Sequence, residues 1–288
     1  MALRYERSGS HIVHCSGLGI VCDTMLSNDD TSVSLPYGKF MPLGTGFVLA
    51  YAGDPGVLYR VQKQHVDQLN EQGLTYDSLD GVELAEGFAK AYASVRRSVI
   101  DETLAGRYGL SLEDLYSRGL QIFGEDKFHA LCQEIEEYWL DLGLIIGGCS
   151  SKSKLWNLFR IQNPGTYRYQ IMQGYDAVGS GAPIALGHLH ACYQQFSPSL
   201  EWSLARLLEA KFMSESQRNV GRETYLLRFE SGAPLTRIQD DKVQAYREKW
   251  EAQRQNIPGD WTAELSGGTI PQDFTKISQV EEGPDSIR

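Results

Sequence analysis

The chain lacks several features that would indicate particular classes of protein. No Cys-x-x-Cys pair is present, so the spacing typical of a structural zinc site is missing. No apolar run is long enough to span a bilayer, and the segment MALRYERSGS contains no signal-peptide core. Basic residues form no stripe and the net charge is −10, which disfavours nucleic acid and anionic membranes as partners.

The remaining composition predicts a globular protein of the cytoplasm. With 288 residues, of which 42% are hydrophobic, the chain can bury a sizeable core. The cysteines are Cys15, Cys22, Cys132, Cys149 and Cys192. Their odd number and apolar surroundings predict reduced thiols. His188 and His190 flank Leu189 on a predicted helix and point in different directions, so we expect no metal site and no cofactor.

Short apolar runs separated by small residues predict an α+β fold. HIVHCSGLGIVCDTM predicts a β-hairpin that turns at Ser16 and Gly17, and a second hairpin turns near residues 43–46. Helical periodicity follows in four segments, residues 55–72, 81–104, 183–196 and 199–215. Hairpins build antiparallel sheets, whereas a doubly wound parallel sheet needs a helix after each strand. The order of elements therefore favours a four-layer α-β-β-α sandwich of two antiparallel sheets.

The pattern along the chain predicts one main domain, residues 1–254, with a helical insertion at 110–139. In that insertion, Gly119 and Gly124 are expected to interrupt the helical periodicity. Residues 255–288 are rich in glycine, proline and charge, which predicts a polar tail that is disordered or forms an arm on a neighbouring subunit.

The segment YDAVGSGAPIALG predicts a strand, a tight turn and a helix. Gly179 and Gly181 permit the turn, and Pro183 suits the first turn of a helix. Such a turn holds a phosphate or supports a catalytic group. The glycine spacing differs from G-x-G-x-x-G, which disfavours nucleotide binding.

Four segments in order carry a resemblance to a known family. They are GIVCDTM, PYGKFMPLG, LAYAGDPG, and the run from LIIGGCSSKSKLWNLFRIQNPG to YDAVGSGAPIALG. With them the chain resembles the proteasome β-type, or HslV-like, branch of the N-terminal nucleophile hydrolases over about residues 8–100 and 140–231. The resemblance implies four site residues: Asp23 pairs with Lys39, the Gly53 N–H stabilises an oxyanion, and the Ser180 hydroxyl orients the proton-transfer groups.

The same resemblance implies a peptidase or amidase of threonine-peptidase type that acts on a peptide or amide substrate. Its nucleophile would be a hydroxyl exposed by processing, and the Gly9–Ser10 bond has the form of a cleavage site. Ser10, Ser8 and the absence of any N-terminal nucleophile remain open, and Cys15 is expected to be a buried strand residue. The family usually carries an aspartate and a serine in the loop before the last core strand; here Ser216 and Asn219 lie near the matching places, so the aspartate is missing. An inactive assembly subunit with the same fold is the alternative function.

The insertion also predicts that the protein forms homo-oligomers. Its apolar side chains are Leu115, Leu120, Ile122, Phe123, Phe128, Leu131 and Trp139. This is more apolar surface than one outer helix pair needs, although it could fill a groove within the chain. We expect light scattering at low protein concentration to give a mass above the 32.2 kDa of the monomer. A single species at the monomer mass would contradict the prediction.

Overall fold

The structure is a computed structural model. It describes residues 2–9, 12–23, 25–27, 32–34, 38–150, 152, 154–170, 174–193, 200–217, 219–230 and 235–255. The chain divides into two compact units, Met1–Gln244 and Ala245–Arg288. The predicted tail lies outside the described residues except for its first residue, so the predicted boundary after residue 254 stays a prediction. Within the described ranges, no helix has the length and hydropathy that crossing a membrane requires.

The described residues contain strands that form two five-stranded antiparallel sheets and one short ribbon. The strands are β1 (Ala2–Gly9), β2 (Ile12–Cys22), β3 (Met25–Ser27), β4 (Ser32–Ser34), β5 (Phe40–Leu43), β6 (Phe47–Gly53), β7 (Leu142–Cys149), β8 (Trp156–Gln162), β9 (Thr166–Tyr169), β10 (Tyr175–Asp176), β11 (Tyr225–Glu230) and β12 (Thr236–Arg237). The first sheet has the order β10-β1-β2-β11-β12 and the second β5-β6-β7-β8-β9, while β3 pairs with β4. The predicted α+β class with two antiparallel sheets is confirmed.

The helices α1, α2 and α3 begin where the sequence supplies a capping side chain. They are α1 (Pro55–Glu71), α2 (Gly81–Ile100), α3 (Leu112–Phe123), α4 (Glu125–Glu137), α5 (Ala182–Tyr193), α6 (Leu200–Ser214) and α7 (Asp240–Gln255). Asp54 caps α1 through Gly56 N, and Asp80 caps α2 in a capping box with Glu83. Helix α2 continues through a π-turn at Asp101–Ala105 and a 3₁₀ turn at Gly106–Tyr108.

Strand β6 contributes to two hydrophobic clusters, one on each face of its sheet. Alternate side chains of a strand point to opposite faces, and all four residues from Val48 to Tyr51 are buried. Leu49 and Tyr51 pack in a cluster with α1 and α2. Val48 and Ala50 pack against the first sheet, in a cluster that includes Leu18 and Phe229. A strand buried on both faces explains the nearly continuous apolar run FVLAYAG.

The first hairpin differs from the prediction. Ser16 and Gly17 do not form its turn, because β2 runs unbroken from Ile12 to Cys22 and pairs with β1. The register shifts between Tyr5 and Glu6, which pair with Gly17 and Cys15 and leave Ser16 as the extra residue of a β-bulge. Small residues serve bulges as well as turns, so the local pattern could not separate the two structures.

The insertion is the predicted helical pair, and it has a small core of its own. Gly124, at φ 77°, separates α3 from α4. Gly119 lies inside α3, where its missing side chain makes room for the Phe128 ring, so it does not interrupt the helix. Leu115 and Leu131 are buried in this core. Leu120 and Ile122 remain about half exposed, at 51% and 49%.

One buried group of the α1–α2 interface predicts a pH dependence of stability. His65 is only 2% exposed, lies 4.4 Å from the Phe88 ring centre to centre, and has no hydrogen-bond partner for either ring nitrogen among the described residues. Burial lowers the pKa of His65 to about 4. The folded protein therefore keeps the imidazole neutral, while the unfolded chain binds a proton below about pH 6.5.

We expect this histidine to reduce the free energy of unfolding as pH falls from about 6.5 to 4, by up to about 1.4 kcal/mol per pH unit. Urea titrations of wild type and His65→Leu across this range measure the effect, because the carboxylates titrate alike in both proteins. The variant should lose less stability than wild type on acidification. Parallel curves for the two proteins would contradict a neutral buried His65.

Candidate active site

An ion pair joins the end of β2 to the segment before β5. Lys39 Nζ lies 2.9 Å from Asp23 Oδ1, and the two side chains are 12% and 11% exposed. The backbone holds the same arrangement, because Lys39 N–H donates to Asp23 O at 3.3 Å and Tyr51 N–H donates to Lys39 O at 3.1 Å. Lys39 is thus fixed both to Asp23 and to the neighbouring strand β6.

The second oxygen of Asp23 binds a segment from the far end of the chain. Gly221 N–H donates to Asp23 Oδ2 at 3.0 Å. Lys211 Nζ, from α6, donates to Gly221 O at 2.6 Å and to Glu215 Oε1 at 2.6 Å. The Asp23 carboxylate is therefore held between Lys39 and a loop that Lys211 secures.

These groups line a pocket of about 910 Å³. Its wall includes all four site residues that the resemblance implies and that the structure describes: Asp23, Lys39, Gly53 and Ser180.

The pocket wall also includes three residues near the end of α6 and in the loop that follows, Lys211, Ser214 and Asn219. The Ser216 hydroxyl instead donates to Met213 O in the last turn of that helix. Sequence reasoning missed Lys211. The one feature of the sequence that could have indicated Lys211 is a lysine within an otherwise mostly apolar stretch of α6.

Gly53 ends β6 in a conformation that favours glycine. Its φ is 110°, and a Cβ at this position would overlap the carbonyl oxygen of Asp141. The next residue, Asp54, donates its N–H to the same Asp141 O at 2.8 Å and caps α1. The turn from β6 into α1 thus holds the Gly53 backbone at the pocket wall.

Ser180 is exposed in the predicted turn between β10 and α5. Gly179 has φ 96°, and a Cβ on it would lie 2.9 Å from Ala52 Cβ. A Cβ on Gly181 would lie 2.8 Å from Val220 Cγ2 and 2.9 Å from Ser214 Cβ. Both glycines therefore permit close packing, and this packing brings the turn against β6 and the loop after α6.

The predicted nucleophile, Ser10, lies outside the described residues. The strand before it is described: the backbones of Ser8 and Gly9 pair with Val13 and Ile12, at the start of β2. Asp23 follows the other end of β2. This strand is 11 residues long and rises about 3.3 Å per residue, so its two ends lie roughly 35 Å apart. At the pocket end of this sheet, Ala2 pairs with Ile20 and Asp176.

A cysteine beside the ion pair is not a reactive thiol. Burial raises the pKa of Cys22 to about 11, so its thiol is protonated at neutral pH. The Cys15 side chain lies outside the described residues. The pocket wall therefore offers a charge pair, the backbone of Gly53 and a serine hydroxyl, without an activated thiol among the described residues.

No family model and no curated protein matches this sequence. Solved structures match the fold over nearly the whole chain. Anbu from Hyphomicrobium sp. strain MC1 is 16% identical with a TM-score of 0.57, covering 97% of this chain and 98% of that one. Anbu, an ancestral beta-subunit, from Yersinia bercovieri is 15% identical with a TM-score of 0.58, covering 98% of each chain. The helical assembly of the Anbu complex from Pseudomonas aeruginosa is 14% identical with a TM-score of 0.59, covering 95% and 98%.

These matches define the class of fold and correct the earlier resemblance. The protein has the fold of a proteasome-like protein of the N-terminal nucleophile hydrolase type. Assignment to the proteasome β-type or HslV-like branch is wrong, because Anbu structures match this chain along nearly its whole length. The four quoted motifs are short and are compatible with more than one proteasome-related branch, which explains the error.

The Asp23–Lys39 pair predicts a measurable contribution to stability. Lys39→Met leaves the Asp23 carboxylate with Gly221 N–H but without its cation. A fully buried pair broken in this way costs about 3–5 kcal/mol, and access of water from the pocket reduces this to about 1–3 kcal/mol. Denaturant titration checks the value. Lys63→Met is the control, because the Lys63–Asp67 pair is exposed and water screens the attraction between its two charges. Equal stability of both variants would contradict the prediction.

Proposed function

We propose that this protein is an amide hydrolase of the N-terminal nucleophile type, acting on a peptide or a small amide. The observation that carries the proposal is the Asp23–Lys39 ion pair in the wall of a pocket that Gly53 and Ser180 also line. An ammonium group, a backbone N–H and a hydroxyl around one cavity supply what acyl transfer needs besides the nucleophile.

The proposed chemistry starts from a hydroxyl on a free N-terminal residue. The hydroxyl oxygen attacks the amide carbonyl carbon, and the α-amine, whose pKa lies near 8, takes the hydroxyl proton and passes it to the leaving nitrogen. Lys39 supplies positive charge that favours the ionised hydroxyl. The Gly53 N–H stabilises the oxyanion by roughly 3 kcal/mol, and Ser180 orients the transferred proton. Water then hydrolyses the ester and regenerates the hydroxyl.

Ser10, exposed by cleavage after Gly9, remains the proposed nucleophile, with Ser8 as the alternative. In the chain as described, β1 occupies the place beside β2 and ends remote from Asp23. Removing residues 1–9 frees that edge of β2. For Ser10 to reach Asp23, the part of β2 before Ser16 would then have to leave the course that it follows in this fold. Cleavage is thus a requirement of this mechanism.

The register of β1 also favours a second candidate function, an assembly subunit without catalysis. An uncleaved chain keeps Ser8 and Gly9 at the far end of β2, remote from Asp23. A homologous fold in Pseudomonas aeruginosa, the Anbu complex, forms a helical assembly. The exposed apolar side chains Tyr116, Leu120 and Ile122 on α3 would suit contacts between copies of this chain.

Two further features belong to this proposal. The face-to-face packing of the two sheets, with α1 and α2 against the second and α6 against the first, supports a four-layer α-β-β-α sandwich. The described cysteines Cys22, Cys132, Cys149 and Cys192 are free thiols, which supports a reducing location such as the cytoplasm.

The test combines intact-mass spectrometry with hydrolysis of fluorogenic peptides. We expect the active protein to lack residues 1–9. Lys39→Ala, which removes the positive charge, and Lys39→Arg should each lower the rate of hydrolysis at least about 100-fold. The arginine variant should fail because a guanidinium does not replace a compact ammonium. Lys63→Arg, a lysine on the exposed side of α1, should retain activity.

Two matched serine variants distinguish Ser10 from Ser8 as the nucleophile. Ser10→Ala should abolish both cleavage and hydrolysis, while Ser8→Ala should leave both intact. The reverse result assigns Ser8. A purified assembly whose mass retains residues 1–9 and that hydrolyses no peptide would overturn the hydrolase proposal in favour of the assembly subunit.

A further inference from the structure

A cluster of three metal-binding side chain types lies between α5 and α6. His188 and Cys192 are four residues apart on α5 and therefore share one face of that helix. His188 Nε2 lies 3.1 Å from Glu209 Oε2 of α6 and 3.4 Å from Cys192 Sγ. All three potential ligand atoms lie within 4.8 Å of one another, the only such group among the described residues.

We propose that His188, Cys192 and Glu209 bind a single zinc-class divalent ion. Zinc–ligand bonds of about 2.0–2.3 Å at tetrahedral angles place a nitrogen roughly 3.3 Å from an oxygen and roughly 3.5 Å from a sulfur. The observed separations of His188 Nε2, 3.1 Å to the oxygen and 3.4 Å to the sulfur, are close to these values, and the Cys192 sulfur and the Glu209 oxygen lie within 4.8 Å of each other. Imidazole and thiolate select zinc-like ions over Mg²⁺ and Ca²⁺, which prefer oxygen ligands.

The side chains of the cluster are partly accessible to solvent. The His188 side chain is 21% exposed and Cys192 is partly exposed, whereas Glu209 is 8% exposed. Arg206 NH1 also contacts Glu209 Oε2, at 2.7 Å, so ion binding competes with this arginine for the carboxylate. Binding releases the Cys192 thiol proton to solvent and uses the lone pair of His188 Nε2, and a water molecule completes the fourth position.

The position of the cluster gives the ion a structural consequence. Helix α5 begins directly after the Ser180 turn, and α6 carries Lys211 and Ser214, which line the pocket. An ion bound to both helices would therefore join the two elements that carry one side of the candidate active site. His190 lies on another face of α5, where its Nδ1 is 3.0 Å from the Tyr175 hydroxyl. It offers a matched control on the same helix.

The test is titration of the full chain with Zn²⁺ and Co²⁺ in the presence of a competing chelator. We expect one ion per chain, a Zn²⁺-dependent rise in melting temperature, and a thiolate-to-cobalt charge-transfer band. Cys192→Ser should remove that band. His188→Gln should weaken affinity about 100-fold or more, beyond the 10–100-fold typical of losing an outer-sphere group. His190→Gln and Cys132→Ser should behave as wild type.

Folding of each variant is checked by its melting temperature without metal, so that loss of binding is not confused with unfolding. Absence of one-to-one binding in the folded wild type would overturn the proposal. So would a charge-transfer band that persists in Cys192→Ser. Either result would assign the cluster to hydrogen bonds and ion pairs between α5 and α6. Neither result depends on amide hydrolysis, so this test is separate from that of the proposed function.

Discussion

The Asp23 carboxylate is the point on which the arrangement of the pocket depends. A carboxylate at a largely enclosed position is costly unless each oxygen has a partner. Oδ1 pairs with Lys39 and Oδ2 accepts from Gly221 N–H, while the backbone oxygen of Asp23 accepts from Lys39 N–H. Two segments separated by most of the chain are thereby joined at one residue. Lys211 strengthens the arrangement, because it binds the Gly221 carbonyl from α6.

The pocket forms where strand ends from both sheets meet. β2 and β10 of the first sheet end at Cys22 and Asp176, and β6 of the second ends at Gly53. Residues just beyond the end of a strand do not take part in the hydrogen bonds between strands, so their side chains and backbone groups can face a cavity. The sheet-to-sheet core of Leu18, Val48 and Phe229 holds these ends at a constant separation. The charge pair, Gly53 and Ser180 are thus positioned by rigid elements.

In the proposed function, the segment before β2 decides between catalysis and assembly. The pocket wall carries the Asp23–Lys39 pair, Gly53 and Ser180, whereas β1 as it pairs in this fold places the backbones of Ser8 and Gly9 at the end of β2 remote from Asp23. The strand would have to be removed for the proposed nucleophile to reach Asp23. The His188–Cys192–Glu209 cluster is independent of that step, since it involves only α5 and α6. Its ion would influence the pocket through Ser180 and Lys211, whichever function is correct.

The sequence by itself determined those features that depend on neighbouring residues. Asp54, Asp80 and Ser111 cap helices because their side chains reach backbone N–H groups two or three residues away, and Gly124 separates α3 from α4. Hairpins indicated antiparallel sheets. The resemblance carried by four short segments implied that Asp23, Lys39, Gly53 and Ser180 share one site, and all four line one pocket.

Only the tertiary structure decided the partners of strands and of buried charges. The two-residue repeat of a strand tells which side chains share a face but not which strand lies beside them. The sequence around Ser16 and Gly17 therefore predicted a turn, whereas Ser16 is the extra residue of a bulge opposite β1. The hydrogen bond from Lys211 in α6 to the Gly221 carbonyl forms only when the loop after α6 folds back on that helix. His188, Cys192 and Glu209 likewise meet only because α5 packs on α6. Each depends on contacts between residues distant in sequence, which local patterns do not encode.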